Sequence, residues 1–522
     1  MAALLIRNGT ILDGSPRAKP AHEDLLVERG RIERMESGLK APGARVLDAA
    51  GMVVAPGFID AHSHSDTNAL LDSRAEGRLR DGVTTEINGT CGLSLFPLIG
   101  AAKEAHRGEL AARKIEPDWT DAAGYFARVE KAGSAINRGF LVGHGAIRGA
   151  VVGYKPRPAT RQEQERMGRL LQESLEQGAL GLSSGLCYPP GCFAGTAELA
   201  GLCLHLKGRP YCTHMRNEGR ELMRSLGEAL AICRRGRAPL HVSHVKTFGR
   251  SNWWKIELLE RALFEARRSG MDVTADRYPY TAAMTELYTI FPDRLMAGGA
   301  QEALKRLHSR PALARLKAEA LRSQRKLVGE KVVISVAAEG AKEFEGLTLA
   351  QAGERLGMEP FEAAAELLRR AGMDVSAIFF EMSEENLARI LMWPFVSIGS
   401  DSSARSLTGP TAGGKPHPRV FGSSARFLRE YVLRRQLMPL AEGISRLTSL
   451  PAQRFGLEQR GLLRPGYHAD IVVFDPKEIS DAATYELPFQ VSRGVRHLLV
   501  NGTPVIRDGR LTSATPGRIL RR

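Results

Sequence analysis

The 522-residue sequence predicts an α/β protein: a (β/α)8 TIM-like barrel carrying a small β-sandwich domain built from both chain termini. Three observations predict it. Eight short apolar runs recur through the middle of the chain, most of them separated by amphipathic helical stretches. Several of those runs close on polar or reactive residues. Both ends of the chain instead alternate short apolar runs with turns.

Residues 1–54 open with L-L-I-R-N-G-T-I-L-D-G and D-L-L-V-E-R-G-R-I, which are hairpin signals. Residues 460–522 repeat the style in H-A-D-I-V-V-F-D and H-L-L-V-N-G-T-P-V-I-R-D-G-R-L. Neither end offers enough strand to cover its own apolar face, so the two are expected to form one domain. Residues 55–459 are expected to hold the barrel. Its strand-like runs begin near Val53, Val83, Gly139, Ala179, Pro210, Pro239, Asp272 and Phe395. Most spacings are close to the ~30 residues of a βα unit. The last is roughly 110 residues, so 284–392 is expected to be an insertion on the catalytic face and a candidate lid.

Composition narrows the function classes. The 43% hydrophobic and 25% charged content is that of a soluble globular protein, and no apolar run approaches the ~20 residues of a membrane helix. The N-terminal apolar run is too short for a signal peptide. Six scattered cysteines do not resemble a disulfide framework, which predicts a reducing, cytoplasmic setting. The net charge of +15 raises nucleic acid as a partner, but the basic residues are spread along helical patterns such as L-R-E-Y-V-L-R-R-Q and no binding motif accompanies them. A basic surface that attracts small anions is the expectation.

In a barrel of this kind the C-terminal strand ends share one rim. Those ends read His62 and His64 (G-F-I-D-A-H-S-H-S-D), Cys91, His144, His214, His244 and Asp401. On a strand, residues i and i+2 face one side, so His62 and His64 are expected to converge beyond the strand end. Imidazole, thiolate and carboxylate together suit zinc. His144 fits a role behind the ligands, one facing substrate, or that of a hydrogen-bonded loop histidine. Cys187 and Cys192 read as loop cysteines, and Cys203, Cys212 and Cys233 as core.

With H-S-H-S-D after a first strand and S-D-S-S at an eighth, the chain resembles the amidohydrolase superfamily. I-N-G-T-C-G, T-H-M-R-N-E-G, S-H-V-K, D-R-Y-P-Y-T, G-K-P-H-P-R and G-L-L-R-P-G-Y-H-A-D-I-V-V-F-D-P resemble, more narrowly, the N-acyl-D-amino-acid deacylases, over about residues 3–510. The resemblance implies a zinc held tightly by Cys91, His214 and His244, with the thiolate in a bridging position. It implies a second, weaker metal site at His62, His64 and Asp401, and a substrate carboxylate held by Lys246, Tyr278 and Arg419. Lys246 follows His244 by two and faces the same way if the strand continues. Arg419 offers the planar fork that grips a carboxylate. The implied reaction is hydrolysis of the amide of an N-acyl-D-amino acid, with Asp401 as general base and then general acid.

One departure bears on the substrate. Family members often carry serines after Y-P-Y, and this chain has Ala283 and Met284 there. A pliable methionine suits an apolar side chain, whereas the basic overall charge suits an acidic one. Two other readings compete. A cyclic-amide hydrolase of the hydantoinase or dihydroorotase type usually carries a lysine at the end of strand four, where this chain reads G-L-S-S-G-L. A non-catalytic barrel kept as a scaffold would be expected to have lost ligands, and none is missing.

Overall fold

The computed structural model describes residues 3–322 and 329–522. Eight strands form the barrel: β1 (Phe58–Asp60), β2 (Val83–Asn88), β3 (Asn137–Phe140, resuming at Val142–Gly143), β4 (Leu182–Gly185), β5 (Tyr211–His214), β6 (Leu240–Val242), β7 (Val273–Arg277) and β8 (Val396–Ile398). Neighbours pair in parallel from β1 to β8. The ring closes where the Ala61 N–H donates to Ile398 O at 3.2 Å and Ser63 bridges Ser402 in parallel. Parallel strands covered by helices are buried on both faces and read as continuous apolar runs. That is why these segments stood out in the sequence.

One run divides in two. V-V-A-P-G-F-I-D reads as a single strand, but Val53–Pro56 pairs with Ile471–Phe474 in the small domain, and β1 begins only at Phe58. Gly57 is the joint. A Cβ there would lie 2.2 Å from Thr84 Cγ2.

The small domain is a sandwich of two sheets. One has the order 31–36, 24–28, 4–7, 45–48; the other runs 10–11, 53–56, 471–474, 495–500, 503–507, 510–511 and mixes both chain ends. Strand alternation sorts the second sheet's side chains. Val54, Ile471, Val473 and Leu499 pack against Leu4, Ile6, Leu25 and Val27 of the first sheet. Val53, Ala55, Val472 and Phe474 face the other way, onto Phe427, Tyr431 and Ile444 beside the barrel. The last strand, Ile519–Leu520, leaves the sandwich and pairs with β3 at the N-terminal mouth of the barrel.

Between β7 and β8 the chain builds an antiparallel sheet in the order Ala283–Glu286, Val375–Phe379, Val332–Ala337, with helices at Ala300–His308, Arg310–Arg322, Leu349–Leu356 and Pro360–Arg370. It has its own core, including Leu287, Phe291, Ile334, Leu349 and Leu368. The following helix, Glu384–Leu391, instead buries Leu387 and Leu391 with Phe427 and Leu428 beside the barrel. It is the barrel's own seventh helix.

Candidate metal centre

Each candidate ligand sits where a barrel strand gives way to a loop. β1 stops at Asp60, and His62 and His64 follow in a stretch held by the segment after β8, with the His64 N–H donating to Ser402 O at 3.1 Å. Strand alternation is therefore not what aims them, yet both Nε2 atoms reach Asp401 Oδ1, at 3.4 and 3.1 Å. Cys91 lies in a tight turn after β2 between Gly89 and Gly92, both at positive φ. A Cβ on Gly89 would lie 2.1 Å from Leu141 O, and one on Gly92 2.6 Å from Gly185 N. His214 ends β5, while His244 and Asp401 follow β6 and β8. Cys91, His244 and Asp401 all adopt the left-handed region, at φ of 53°, 34° and 51°. Such backbone in a non-glycine residue persists only where the surroundings over-determine it, and it clusters at functional sites.

Two sets of potential donors result. His62, His64, Cys91 and Asp401 form one, and Cys91, His214 and His244 the other; within each set the donor atoms lie within 4.8 Å of one another. Cys91 belongs to both, with its Sγ 3.3 Å from His62 Nε2 and 3.4 Å from His244 Nε2.

Two carboxylates that sequence reasoning missed hold these imidazoles. Asp276 Oδ2 is 3.0 Å from His62 Nδ1 and 2.9 Å from His241 Nε2, and Oδ1 accepts the His244 N–H at 2.9 Å. Glu218 Oε1 is 3.0 Å from His244 Nδ1, and Oε2 is 3.5 Å from His214 Nε2. The outer nitrogens of His62 and His244 are thus occupied, leaving their Nε2 atoms beside the Cys91 sulfur, while among the described residues His214 Nδ1 is buried without a partner. Asp276 is the penultimate residue of β7, within reach of a reading of the strand ends. Glu218 lies in a loop with no periodic signal, and only the T-H-M-R-N-E-G motif contains it.

Burial would raise the Asp276 carboxyl, but His62 and His241 hold it far below the usual carboxylate range. Burial would likewise raise Asp401, and Arg419, His244 and His64 hold it well down. His214 and His244 are lowered by burial, His244 further by Lys246. Burial and the Asp401 charge push the Cys91 thiol up.

Lys246, Tyr278 and Arg419 gather beside this cluster. β6 ends at Val242, so Lys246 does not lie on a continuing strand; its Nζ is held by Glu218 at 2.6 and 2.7 Å. Arg419 donates from Nη1 to Asp401 Oδ2 at 2.8 Å and from Nη2 to Met284 O at 3.1 Å. Its guanidinium lies 4.6 Å over the Tyr278 ring, with Lys246 Nζ 6.0 Å from the same ring. The Tyr278 hydroxyl and Arg419 Nε are buried without a partner. His144 lies apart from both donor sets, its Nε2 2.9 Å from Glu198, which also pairs with Arg148. The helix it begins backs the Cys91 turn, with Gly145 N–H donating to Gly92 O at 3.0 Å. Tyr188, also unforeseen, packs 5.0 Å from the His214 ring and hydrogen-bonds Thr285 of the insertion at 2.8 Å.

Relatives align with nearly the whole chain. Residues 45–203 and 396–506 match the model of the Amidohydrolase family. The D-aminoacylase of Alcaligenes xylosoxydans xylosoxydans is 33% identical over 99% of this chain and 97% of its own. The N-acyl-D-glutamate deacylase of the same organism is 34% identical over 99% and 96%. The crystal structure of N-acyl-D-glutamate deacylase from Bordetella bronchiseptica, complexed with zinc and a phosphonate mimic of the tetrahedral intermediate, superposes with a TM-score of 0.83 at 32% identity and 99% coverage of both chains. The chain belongs to the amidohydrolase family, in its branch of D-aminoacylases and N-acyl-D-amino-acid deacylases.

Proposed function

We propose that this chain hydrolyses the amide bond of N-acyl-D-amino acids with zinc, releasing a carboxylate and a free D-amino acid. The observation that carries the reading is the junction of two sites at one ion pair. Asp401 closes the four-donor set, and Arg419, bonded to it at 2.8 Å, opens a cluster suited to a carboxylate. The unpartnered Tyr278 hydroxyl and Arg419 Nε are buried donors, and leaving such groups unpaired costs about 1–3 kcal/mol each. A substrate carboxylate supplies their partner.

The donor chemistry fits zinc: sulfur, imidazole nitrogen and carboxylate oxygen, with histidines oriented from behind by carboxylates. Cys91, His214 and His244 would hold a tight ion, and His62, His64 and Asp401 a second, weaker one. When bound, zinc lowers the pKa of water from 15.7 to about 7 and stabilises charge building on a carbonyl oxygen. A nearby dication also reverses the upward push on the Cys91 thiol and favours the thiolate.

The remaining work falls to the chain's own residues. Asp401 Oδ1, directed at the imidazoles, takes the proton of the attacking water and passes it to the amide nitrogen as that leaves. Lys246, Tyr278 and Arg419 hold the amino-acid carboxylate. With carboxylate and scissile carbonyl both fixed, the two enantiomers place their side chains in different directions, and the relatives' names indicate the D form. His144 supports the Cys91 turn from behind. Six free cysteines suit a cytoplasmic setting. A cyclic-amide hydrolase is disfavoured by the absence of a lysine at the end of β4, L-S-S-G. Measuring zinc per chain together with turnover of matched N-acetyl-D- and N-acetyl-L-amino acids tests the reading. Bound zinc and turnover confined to the D series are expected, and hydrolysis of hydantoins with none of the D series would overturn it.

A further inference from the structure

Glu218 touches three side chains to which the proposed function gives two separate tasks. Its oxygens accept from Lys246 Nζ at 2.6 and 2.7 Å, and they lie 3.0 Å from His244 Nδ1 and 3.5 Å from His214 Nε2. The carboxylate's side chain is only 11% exposed. A neutral imidazole carries one N–H, and whichever nitrogen donates it leaves the other as the lone pair. Accepting from His244 Nδ1 would set His244 Nε2 as the nitrogen free for a cation, and the Glu218 charge 3.5 Å from His214 Nε2 favours the tautomer that leaves His214 Nδ1 free. The Lys246 ammonium lies 2.6 Å from His244 Nδ1. With Nδ1 protonated, the imidazole N–H and the ammonium cannot bond each other, and Glu218 is the acceptor within reach of both.

We propose that Glu218 is a positioning residue that joins the two halves of the site. It fixes the tautomers of His214 and His244, and it pins the Lys246 ammonium where a substrate carboxylate meets it. The assignment of Lys246 to the carboxylate rests on the function proposed above; the assignment of the two histidines to a cation rests on the donor geometry. A carboxylate that only filled space would not be expected to tie zinc affinity to substrate binding.

The test uses the full-length protein with Glu218→Gln, Glu218→Asp, Lys246→Ala and the Glu218→Gln/Lys246→Ala double variant. Zinc dissociation constants are read by chelator competition. KM and kcat are read at saturating zinc on the best N-acetyl-D-amino acid. Glu218→Gln is expected to weaken zinc by about 10–100-fold, the usual cost of losing such an outer partner, and to raise KM at least about tenfold. Lys246→Ala should raise KM and leave zinc within a factor of about three. The double variant should have the KM of Lys246→Ala alone, because without the ammonium Glu218 has nothing to pin there. Glu218→Asp, if it restores zinc affinity in part, separates the carboxylate's role from a folding defect. Unchanged zinc affinity in Glu218→Gln, or KM effects of the two single changes that multiply in the double variant, would overturn the proposal. If the parent protein hydrolyses no N-acyl-D-amino acid, the proposed function fails instead, and the zinc measurements still decide whether Glu218 governs the histidines.

Discussion

Cys91, His244 and Asp401 hold left-handed backbone, a conformation that costs a non-glycine residue roughly 1–2 kcal/mol. Around Cys91 the turn is fixed by backbone packed close against Gly89 and Gly92. At Gly92 the space for a Cβ is taken by Gly185 N at 2.6 Å, and φ is +76°. Gly92→Ala should therefore displace the neighbouring Cys91 sulfur and reduce zinc per chain, with a stability loss of about 1–3 kcal/mol; zinc content and a denaturant titration check both. Asp401→Asn keeps the size and loses the base. It should lower kcat by about two to four orders of magnitude while zinc stays on Cys91, His214 and His244. Normal turnover in that variant would remove Asp401 from the chemistry. At this scale the sequence was legible where a residue ends a strand or follows it within a few positions, which is why His62, His64, Cys91, His214, His244 and Asp401 were singled out together. Glu218 was passed over because it lies in a loop and an outer partner has no spacing rule of its own, whereas Asp276, near the C-terminal end of β7, was within reach of the same reading.

Among the elements, the barrel's first three strands are tied together by buried charge. Glu86 on β2 pairs with Arg138 on β3 and accepts from Arg78 Nε at 3.3 Å, while Arg78 reaches Asp60 on β1 at 3.3 Å. These side chains are 0–3% exposed. Removing one member of such a group leaves an uncompensated charge, at about 3–5 kcal/mol. Glu86→Gln strands part of two guanidiniums and should destabilise by that order. Arg138→Met, which removes the charge and keeps volume, should cost less than Glu86→Gln, because Glu86 retains Arg78. Urea titrations of both variants give the order, and the reverse order would show that the network is not organised around Glu86. Element boundaries were harder to read than their existence. The apolar run through Gly57 serves two sheets, and nothing in its hydrophobicity marks the change of partner. The helix Glu384–Leu391 looked like part of the insertion because it follows it, and only its packing against Phe427 and Leu428 returns it to the barrel.

Across the whole molecule, the candidate centre gathers side chains from the end of β5 and from the loops after β1, β2, β6 and β8, from residue 62 to residue 401. The alternation that revealed the barrel and both β-rich ends was visible because it is periodic. The barrel's closure was not, because it depends on contacts far apart in the chain, such as the Ala61 N–H donating to Ile398 O. A cation held at that rim would bind the folded chain and not the unfolded one, so it adds stability by mass action: about 2.7 kcal/mol when free zinc exceeds its dissociation constant a hundredfold. Stripping zinc with a chelator should therefore lower the melting temperature of the barrel by a few degrees, and restoring zinc should recover it. Cys91→Ala removes the donor common to both sets, so its melting curve should be insensitive to chelator and zinc alike. His144→Ala, which leaves both donor sets intact, should keep the zinc-dependent shift even if its baseline falls. Equal melting of the parent protein with and without zinc would mean that the rim donors, close as they are, do not grip an ion tightly enough to matter to the fold.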